Sequence, residues 1–503
     1  MNQKELIKII KKDTWWSEEC PGVPLFCQWM RQFVEQSRYW HPRLPKAIFC
    51  FIKKDFIYEE TPEKQKIKIW DYVWRRSTKN WSYQTKRYLA WRRLVVKIEK
   101  QTELFDKETK NLTNFQLADS FSRFSDLVRD HWRYTWVQES ADVFSTEVLP
   151  GLVKNELKIN EGDKLNEIMI VLAAPRQLSF MEEEYLSLLD LAIDWHSAIT
   201  KIKALNKAPQ KLQTAVVALA AKYIWLLSNY REGHPFTPAA VWEQLRYACQ
   251  KKTRRDLKLE FNSLKTKLRR SSIQGAIVLR KYKISAKLRS IFKLLAWWAG
   301  WIDERKRLAL KANWYLEKYA AEISLHLKRP LWQIKYMTTE EAVSGLRAGV
   351  MPTPIELAKR RKFSVYAVVK NGGRVKDEFI TGRKAKQLWR TVFKDQSREI
   401  KGQVASAPMD ALSGVAQVVL DPHRDKFISG RILVTTMTRP DFVPLMRRAK
   451  AIITDEGGIT SHAAIISREL GIPCIIGTKV GTKLIATGKL VVLNLSNGRV
   501  IIK

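Results

Sequence analysis

One stretch near the end of this 503-residue chain, residues 451–478, restricts the possible folds most, because signals for a strand, a sharp turn and a helix follow one another there. Residues 451–454 (Ala-Ile-Ile-Thr) have the continuous apolar character of a short buried strand. Gly457 and Gly458 then supply the unrestricted backbone that a sharp turn from strand to helix requires. The succession predicts a layered α/β arrangement in this part of the chain.

The helix after this turn has clear start and stop signals. Thr460 or Ser461 suits the N-cap, Gly471 suits the C-terminal end, and Pro473 prevents the helix from continuing. His462 is therefore expected in the first helical turn. Unpaired backbone N–H groups and the positive end of the helix dipole favour neutral imidazole over imidazolium there, and neutral imidazole has a free nitrogen that can act as a nucleophile.

This position gives His462 the properties that a transient phosphohistidine needs. The same N–H donors would hold a phosphoryl group once it is attached, and the adjacent hydroxyls add further donors. A lone histidine near a helix start is more often solvated or structural, so the interpretation depends on the length and order of the whole motif. We assign His462 as the phosphoryl acceptor, with Thr460 and Ser461 as catalytic donors and Gly457, Gly458 and Ala463 in the phosphate-binding loop.

Residues 457–464 (Gly-Gly-Ile-Thr-Ser-His-Ala-Ala) resemble the signature of the phosphohistidine, or swivelling, domain of the pyruvate dikinase family, which includes phosphoenolpyruvate synthase and rifampicin phosphotransferase. The resemblance extends backwards through residues 432–446, 414–419 and 402–408. It implies a swivelling β/β/α domain. The family commonly has an acidic Asp-Gly-Asp turn before the last strands, where this chain has Thr-Gly-Lys at 487–489, so those acidic side chains are missing.

The resemblance also implies partners. In the family this domain carries phosphate between an ATP-grasp module and a second site that receives it. Neither an ATP-grasp sequence before the helices nor a pyruvate-binding barrel after residue 503 is recognisable. We therefore expect ATP and Mg²⁺ on a separate ATP-grasp subunit, and neither a cofactor nor a metal on the carrier domain. The acceptor stays open between pyruvate and a small hydroxyl compound. The resemblance further suggests Thr460 as a regulatory phosphorylation site.

The predicted fold class is α+β, with a large, mainly α-helical N-terminal region followed by the swivelling phosphohistidine domain. We predict a helical, tryptophan-rich basic region at 1–175, a helical linker region with a short β-hairpin near its end at 176–398, and the phosphohistidine domain at 399–503. Composition supports the last boundary. All nineteen tryptophans precede residue 390, whereas ten of the twenty-one glycines follow residue 400, as short strands and tight turns require.

Three local patterns in the linker region support these elements. Thr338 or Thr339 ahead of Glu341 is a helix-capping signal. Residues 363–369 and 378–380, on either side of an Asn-Gly-Gly turn, predict the hairpin. Apolar residues at helical spacing predict one face of a helix that a proline ends; they are Leu316, Ala320, Ile323 and Leu327, followed by Pro330.

The chain carries a large positive charge, because 89 Lys and Arg against 51 Asp and Glu give +38. Most of it, 75 − 44 = +31, belongs to residues 1–400. Such an excess suggests a polyanionic partner, and aromatic residues interleaved with basic ones can bind single-stranded nucleic acid. A helical domain with aromatic core residues and a solvated basic face explains the same pattern, and we favour it. The alternative function is a basic nucleic-acid-binding or scaffold protein with an inactive carrier domain, and we expect only weak, non-specific nucleic-acid binding.

From other features we expect a cytoplasmic protein that does not contact a membrane. The N-terminus is charged and lacks a secretory signal, and the most apolar stretches, 214–228 and 291–302, are too short to span a bilayer. The five cysteines are too few and too scattered for a disulfide framework. His196 and His326 have no partner at metal-ligand spacing, so we interpret both as structural.

Overall fold

The computed structural model describes the chain except for residues 1–2, 14, 27–30, 32–33, 35–45, 54, 136–143, 145–147, 160–162, 372–373, 393–399, 423–424, 439–441 and 457–461. The described residues form an N-terminal body, residues 3–392, and a C-terminal domain, residues 400–503. Both combine helices with sheet, so the chain has a mixed α and β structure, as predicted.

The helices of the N-terminal body are α1 Gln3–Ile10, α2 Glu63–Lys79, α3 Trp81–Glu108, α4 Asn114–Thr135, α5 Leu149–Leu157, α6 Asp163–Leu172, α7 Phe180–Asp194, α8 His196–Lys201, α9 Gln210–Lys222, α10 Pro238–Lys251, α11 Arg254–Lys281, α12 Ala286–Leu327, α13 Leu331–Lys335, α14 Thr339–Ala348, α15 Pro354–Lys362 and α16 Gly382–Val392. Its strands are β1 Trp15–Pro21, β2 Ala47–Ile52, β3 Phe56–Pro62, β4 Ser364–Asn371 and β5 Arg374–Thr381. The structure has no helix, within its described ranges, that is long and apolar enough to cross a membrane.

These strands form one antiparallel sheet in the order β1-β3-β2-β4-β5. The predicted hairpin is present as β4 and β5, but β4 also pairs with β2, so that Phe49 lies opposite Ala367. The prediction that residues 1–175 are helical is therefore wrong for β1, β2 and β3. The physical reason is that four of the six residues of β2 are aromatic or β-branched and all six are buried, and such residues favour a sheet over a helix.

A continuous apolar core crosses residue 175, where the sequence suggested a boundary between two helical regions. Its buried members include Trp91 from one side and Trp298 and Trp301 from the other. The ring centroids of Trp91 and Trp301 are 5.9 Å apart. These tryptophans fill the core, as the structural interpretation of the aromatic residues requires.

Two helices follow their sequence signals closely. The 42-residue α12 starts where the Ser285 hydroxyl accepts a hydrogen bond from Leu288 N, and it ends at Leu327, ahead of Pro330. Its predicted face is buried at Leu316, Ala320 and Ile323 and half-buried at Leu327. Helix α14 has a complete capping box, in which Thr338 caps the helix and the Glu341 carboxylate accepts from Thr338 N at 3.0 Å.

The C-terminal domain contains strands β6 Ile400–Lys401, β7 Gln403–Ser406, β8 Ala411–Val418, β9 Ile432–Thr435, β10 Ala451–Thr454, β11 Cys474–Ile476, β12 Leu490–Asn494 and β13 Arg499–Ile502, and helices α17 Val443–Met446, α18 His462–Leu470 and α19 Gly481–Leu484. The strand order is β6-β13-β12-β8-β9-β10-β11-β7. The neighbouring strands β8, β9, β10 and β11 are parallel.

Successive side chains of the central strands enter two different apolar cores. Ile452 packs in a core that includes Ala463 and Ala464 of α18, whereas Ala451 and Ile453 pack in a core that includes Val491 of β12. This follows from the alternation of side chains along a strand. Both faces of the sheet are consequently covered. The chain after β10 therefore leaves the sheet at the edge formed by the carboxyl ends of the parallel strands.

Candidate functional site

The strand predicted before the His462 loop and the helix predicted after it begin and end as the sequence indicates. Strand β10 lies between β9 and β11 with all four residues buried, and His462 is the first residue of α18. Residues 457–461 lie outside the described part of the chain, and so does the His462 side chain. The assigned roles of His462, Thr460, Ser461, Gly457 and Gly458 therefore stay predictions.

The first turn of α18 is anchored immediately after His462. Ala463 and Ala464 are buried against Ile452 of β10 and Cys474 of β11. The Ala463 side chain therefore belongs to the core, and any contribution of Ala463 to phosphate binding has to come from its backbone N–H. Packing of these alanines fixes the start of the helix relative to the sheet.

Asp455, directly after β10, holds the other end of the loop that leads to His462. It is 4% exposed, and its carboxylate accepts hydrogen bonds from the Thr478 hydroxyl at 2.7 Å and from Thr482 N at 3.0 Å. Gly481 N and the Thr482 hydroxyl also donate to it. The carboxylate thereby binds the N-terminal end of α19 to the end of β10.

Gly481 is required by this arrangement. A Cβ atom at that position would lie 2.8 Å from Asp455 Oδ1 and 2.8 Å from the Thr478 hydroxyl oxygen. Any other residue would push the carboxylate away from its donors. The close approach thus explains a glycine at a position without a left-handed backbone.

Backbone hydrogen bonds on the opposite side continue the pairing with β9 beyond its last residue. Asp455 N donates to Thr435 O at 3.1 Å, and Glu456 N donates to Thr436 O at 2.8 Å. The Thr454 hydroxyl donates to Glu456 O at 2.8 Å. Residues 455 and 456 are consequently held on both sides, and the loop departs from a rigid base.

Cys474 is the cysteine of the C-terminal domain, and its thiol is unreactive in the folded domain. Burial raises the pKa of its thiol to about 12, although a hydrogen bond with Ser467 and the charge of Arg468 lower it in part. The thiol is therefore protonated at neutral pH and unsuited to nucleophilic attack in the folded domain. In the described part of the chain, no group of three or more His, Cys, Asp or Glu residues is placed to hold a metal ion.

The two histidines interpreted as structural make contacts within the N-terminal body. His196 Nε2 lies 3.0 Å from Lys252 O, and His326 Nδ1 lies 2.7 Å from Asn114 Oδ1. Neither belongs to the C-terminal domain that carries His462.

Sequence reasoning missed Asp455, although it stands inside the recognised motif. A signal was present: an aspartate at the end of a buried strand is well placed to accept from backbone N–H groups. The donors, however, come from residues 478–482, and their position relative to Asp455 is set by the sheet.

Comparisons with known proteins agree on the C-terminal domain. A family model described as "PEP-utilising enzyme, mobile domain" matches residues 427–498, so this domain is present in the chain. The phosphoenolpyruvate synthase of Pyrococcus furiosus is 55% identical over 102 residues, which are 20% of this chain and 12% of that protein. The probable phosphoenolpyruvate synthase of Staphylothermus marinus is 53% identical over 102 residues, again 20% and 12% of the two chains.

A third relative extends the similarity further. The phosphoenolpyruvate synthase of Aquifex aeolicus is 33% identical over 202 residues, which are 39% of this chain and 23% of that protein. This match is longer than the C-terminal domain and therefore includes part of the N-terminal body. The chain spans less than a quarter of the length of each of these three relatives.

Proposed function

We propose that this chain is the phosphohistidine carrier component of a phosphotransferase of the phosphoenolpyruvate synthase or dikinase type, with His462 as the phosphoryl acceptor. The observation that carries the proposal is the position of His462, the first residue of α18, within the segment that matches the PEP-utilising mobile domain. A separate ATP-grasp subunit would supply the phosphoryl group from ATP and Mg²⁺. Pyruvate or a small hydroxyl compound would receive it.

In the proposed reaction the carrier supplies only a nucleophilic nitrogen and hydrogen-bond donors for the phosphoryl oxygens. The lone pair of the His462 imidazole forms a bond to phosphorus, the bond from phosphorus to the leaving oxygen breaks, and that oxygen keeps the electron pair. The second transfer reverses these roles, with the acceptor oxygen as nucleophile. Backbone N–H groups at the start of α18 and the hydroxyls of Thr460 and Ser461 would stabilise the phosphoryl oxygens between the two steps.

A carrier has to reach two sites. Helix α16 ends at Val392 and β6 begins at Ile400, and the connecting residues 393–399 fall outside the described part of the chain. We propose that the C-terminal domain swivels as a rigid unit about this connection. Its two apolar cores, one on each face of the sheet, support movement without unfolding.

The function predicts that the purified chain does not label itself from ATP but accepts label when an ATP-grasp partner is present. The chain is incubated with ATP labelled in the β-phosphate, with and without lysate of the source cells, and digested with trypsin. We expect label on the peptide containing His462 only when lysate is present. Strong labelling of the isolated chain would contradict the separate donor, and label on any other peptide would contradict the assigned acceptor.

One observation supports the alternative, a nucleic-acid-binding function. In α11, Leu257 and Val278 are buried, while basic residues line the solvent side. Its exposed basic residues include Lys258, Lys265 and Arg269. However, exposed Leu259, Ile273 and Ile277 interrupt this basic surface. Apolar side chains do not form hydrogen bonds or ion pairs with phosphate groups. We therefore rank nucleic-acid binding second.

Salt dependence separates the two functions. Single-stranded RNA should bind weakly, with a dissociation constant of roughly 10⁻⁴ to 10⁻⁶ M at physiological salt and no sequence preference. Replacing Lys258, Lys265 and Arg269 together by glutamate should weaken binding at low salt. It should also make binding less salt-dependent, reducing the magnitude of the negative slope of log K against log[salt] by about 2.

The matched control replaces the exposed Arg383, Lys384 and Lys386 of α16 by glutamate, which changes the charge equally at another place. Equal losses in both variants would show that only net charge matters. Tight binding that survives physiological salt in the unchanged protein would favour the nucleic-acid function over the carrier.

A further inference from the structure

A short loop of the N-terminal body, residues 229–233, is folded tightly upon itself. The Asn229 side-chain oxygen accepts hydrogen bonds from Arg231 N at 2.8 Å and Glu232 N at 3.1 Å. Asn229 N donates to Glu232 O at 2.9 Å. These bonds fix the backbone from which the Arg231 side chain extends.

Hydrogen bonds and close packing also attach residues 229–233 to neighbouring elements of the N-terminal body. Gly233 N donates to the Glu317 carboxylate of α12 at 2.9 Å, and Glu317 also forms an ion pair with Lys335 at 2.7 Å. A Cβ atom on Gly233 would lie 2.6 Å from Glu317 Cβ, so the backbone lies directly against the helix. Val23 N also donates to Tyr230 O in this loop, at 3.0 Å. Arg231 therefore projects from a fixed position.

The C-terminal domain presents Asp421 in a comparable way. Asp421 follows β8, and the Asp425 carboxylate accepts from Leu420 N at 2.9 Å and Asp421 N at 3.0 Å. Asp425 N in turn donates to Asp421 O at 2.9 Å. The backbone of Asp421 is thus held by hydrogen bonds with Asp425 inside the C-terminal domain.

The two loops meet in an ion pair between the N-terminal body and the C-terminal domain. Arg231 Nη2 lies 2.8 Å from Asp421 Oδ2 and 2.6 Å from Glu232 Oε1. The side chains of Arg231 and Asp421 are only 11% and 13% exposed. Burial lowers the pKa of Arg231, but hydrogen bonds and charge from Glu232 and Asp421 outweigh it and raise the pKa above its usual value.

We propose that Arg231 is a positioning residue that docks the C-terminal domain on the N-terminal body through Asp421, and that breaking this ion pair releases the domain for movement. Arg231 and Asp421 each lie in a segment that is hydrogen-bonded within its own part of the chain, so each segment keeps its fold when the ion pair breaks. It then opens more often, because the partner segment no longer restrains it. Glu232 remains beside Arg231 after release and keeps the guanidinium paired, which lowers the free-energy cost of separation. The role in phosphoryl transfer rests on the proposed function, whereas the docking itself does not.

Hydrogen exchange measured by mass spectrometry on the full chain tests the docking without any phosphoryl transfer. Arg231→Glu should raise amide exchange in residues 420–425 and 229–233 by on the order of 10-fold, because the new carboxylate repels those of Glu232 and Asp421 at the contact. The exchanged pair Arg231→Glu with Asp421→Arg restores opposite charges across the contact and should return exchange towards that of the unchanged protein. Rescue of this kind would not follow from a structural role of Arg231 within its own loop.

Two controls keep the test decisive. Arg347→Glu breaks an ion pair with Asp119 inside the N-terminal body and should leave exchange in residues 420–425 unchanged. Asp421→Asn is a milder change and should raise exchange in the same two segments even if Arg231→Glu disturbs folding. Unchanged exchange in Asp421→Asn, or failure of the exchanged pair to restore protection, would overturn the docking role. A docked domain whose His462 never accepts label would instead overturn only the proposed function.

Discussion

Replacing His462 by alanine is expected to abolish phosphoryl acceptance while the domain stays folded. The imidazole is the proposed nucleophile, and nothing else in the motif supplies a nitrogen that can form the same bond. Alanine has the highest helix propensity, so at the first residue of α18 it should change the free energy of unfolding by less than about 1 kcal/mol. Labelling from β-labelled ATP in the presence of lysate measures the first effect.

His326→Ala is the matched control, because it removes a histidine that contacts Asn114 in the N-terminal body. It should accept label at the rate of the unchanged protein. Label that remains on His462→Ala and is acid-labile and base-stable, as phosphohistidine is, would contradict the assignment of His462. Loss of label in both variants would point to a general defect in folding or in partner binding.

The local features on either side of the His462 loop were predictable from sequence because they depend on neighbouring residues. Continuous apolar residues define β10, and the glycines and hydroxyl residues that follow separate it from α18. The capping box at Thr338 and Glu341 was predictable for the same reason, since its partners are three residues apart.

The five-stranded sheet was not predictable in this way. Strand β2 pairs with β4 across more than 300 residues of sequence, so no local pattern indicates its partner. The aromatic and basic residues of the region 1–175 favour a helical domain with an aromatic core, as the sequence analysis predicts. Long-range pairing therefore decided the fold where the local signals did not.

Asp455 shows the same limit within the site. Its place at the end of β10 was evident, but its function depends on Thr478, Gly481 and Thr482, which the sheet brings to it from beyond β11. Removing a buried carboxylate that accepts several hydrogen bonds costs more free energy of unfolding than removing an exposed one. Its donors then remain buried without an acceptor, and each of them adds to the cost.

Asp455→Ala should therefore destabilise the C-terminal domain by about 3 kcal/mol, because amide and hydroxyl donors that now pair with the carboxylate lose their acceptor. Asp455→Asn keeps one side-chain oxygen and should cost less. Asp410→Ala removes an exposed aspartate from the same domain and should change stability by less than about 0.5 kcal/mol.

Tryptophan fluorescence would miss this effect, because all nineteen tryptophans precede residue 390. Cys474 reports it instead: its thiol is buried, with a pKa raised to about 12, and becomes reactive only when the domain opens. With urea slopes of about 2 kcal/mol per molar, the midpoint for labelling Cys474 with a thiol reagent should fall by about 1.5 M in Asp455→Ala. Peptide mapping separates Cys474 from the other four cysteines. A midpoint equal to that of Asp410→Ala would mean that the Asp455 carboxylate does not hold β10 to α19. The backbone hydrogen bonds of residues 455 and 456 to residues 435 and 436 would then be what fixes the start of the His462 loop.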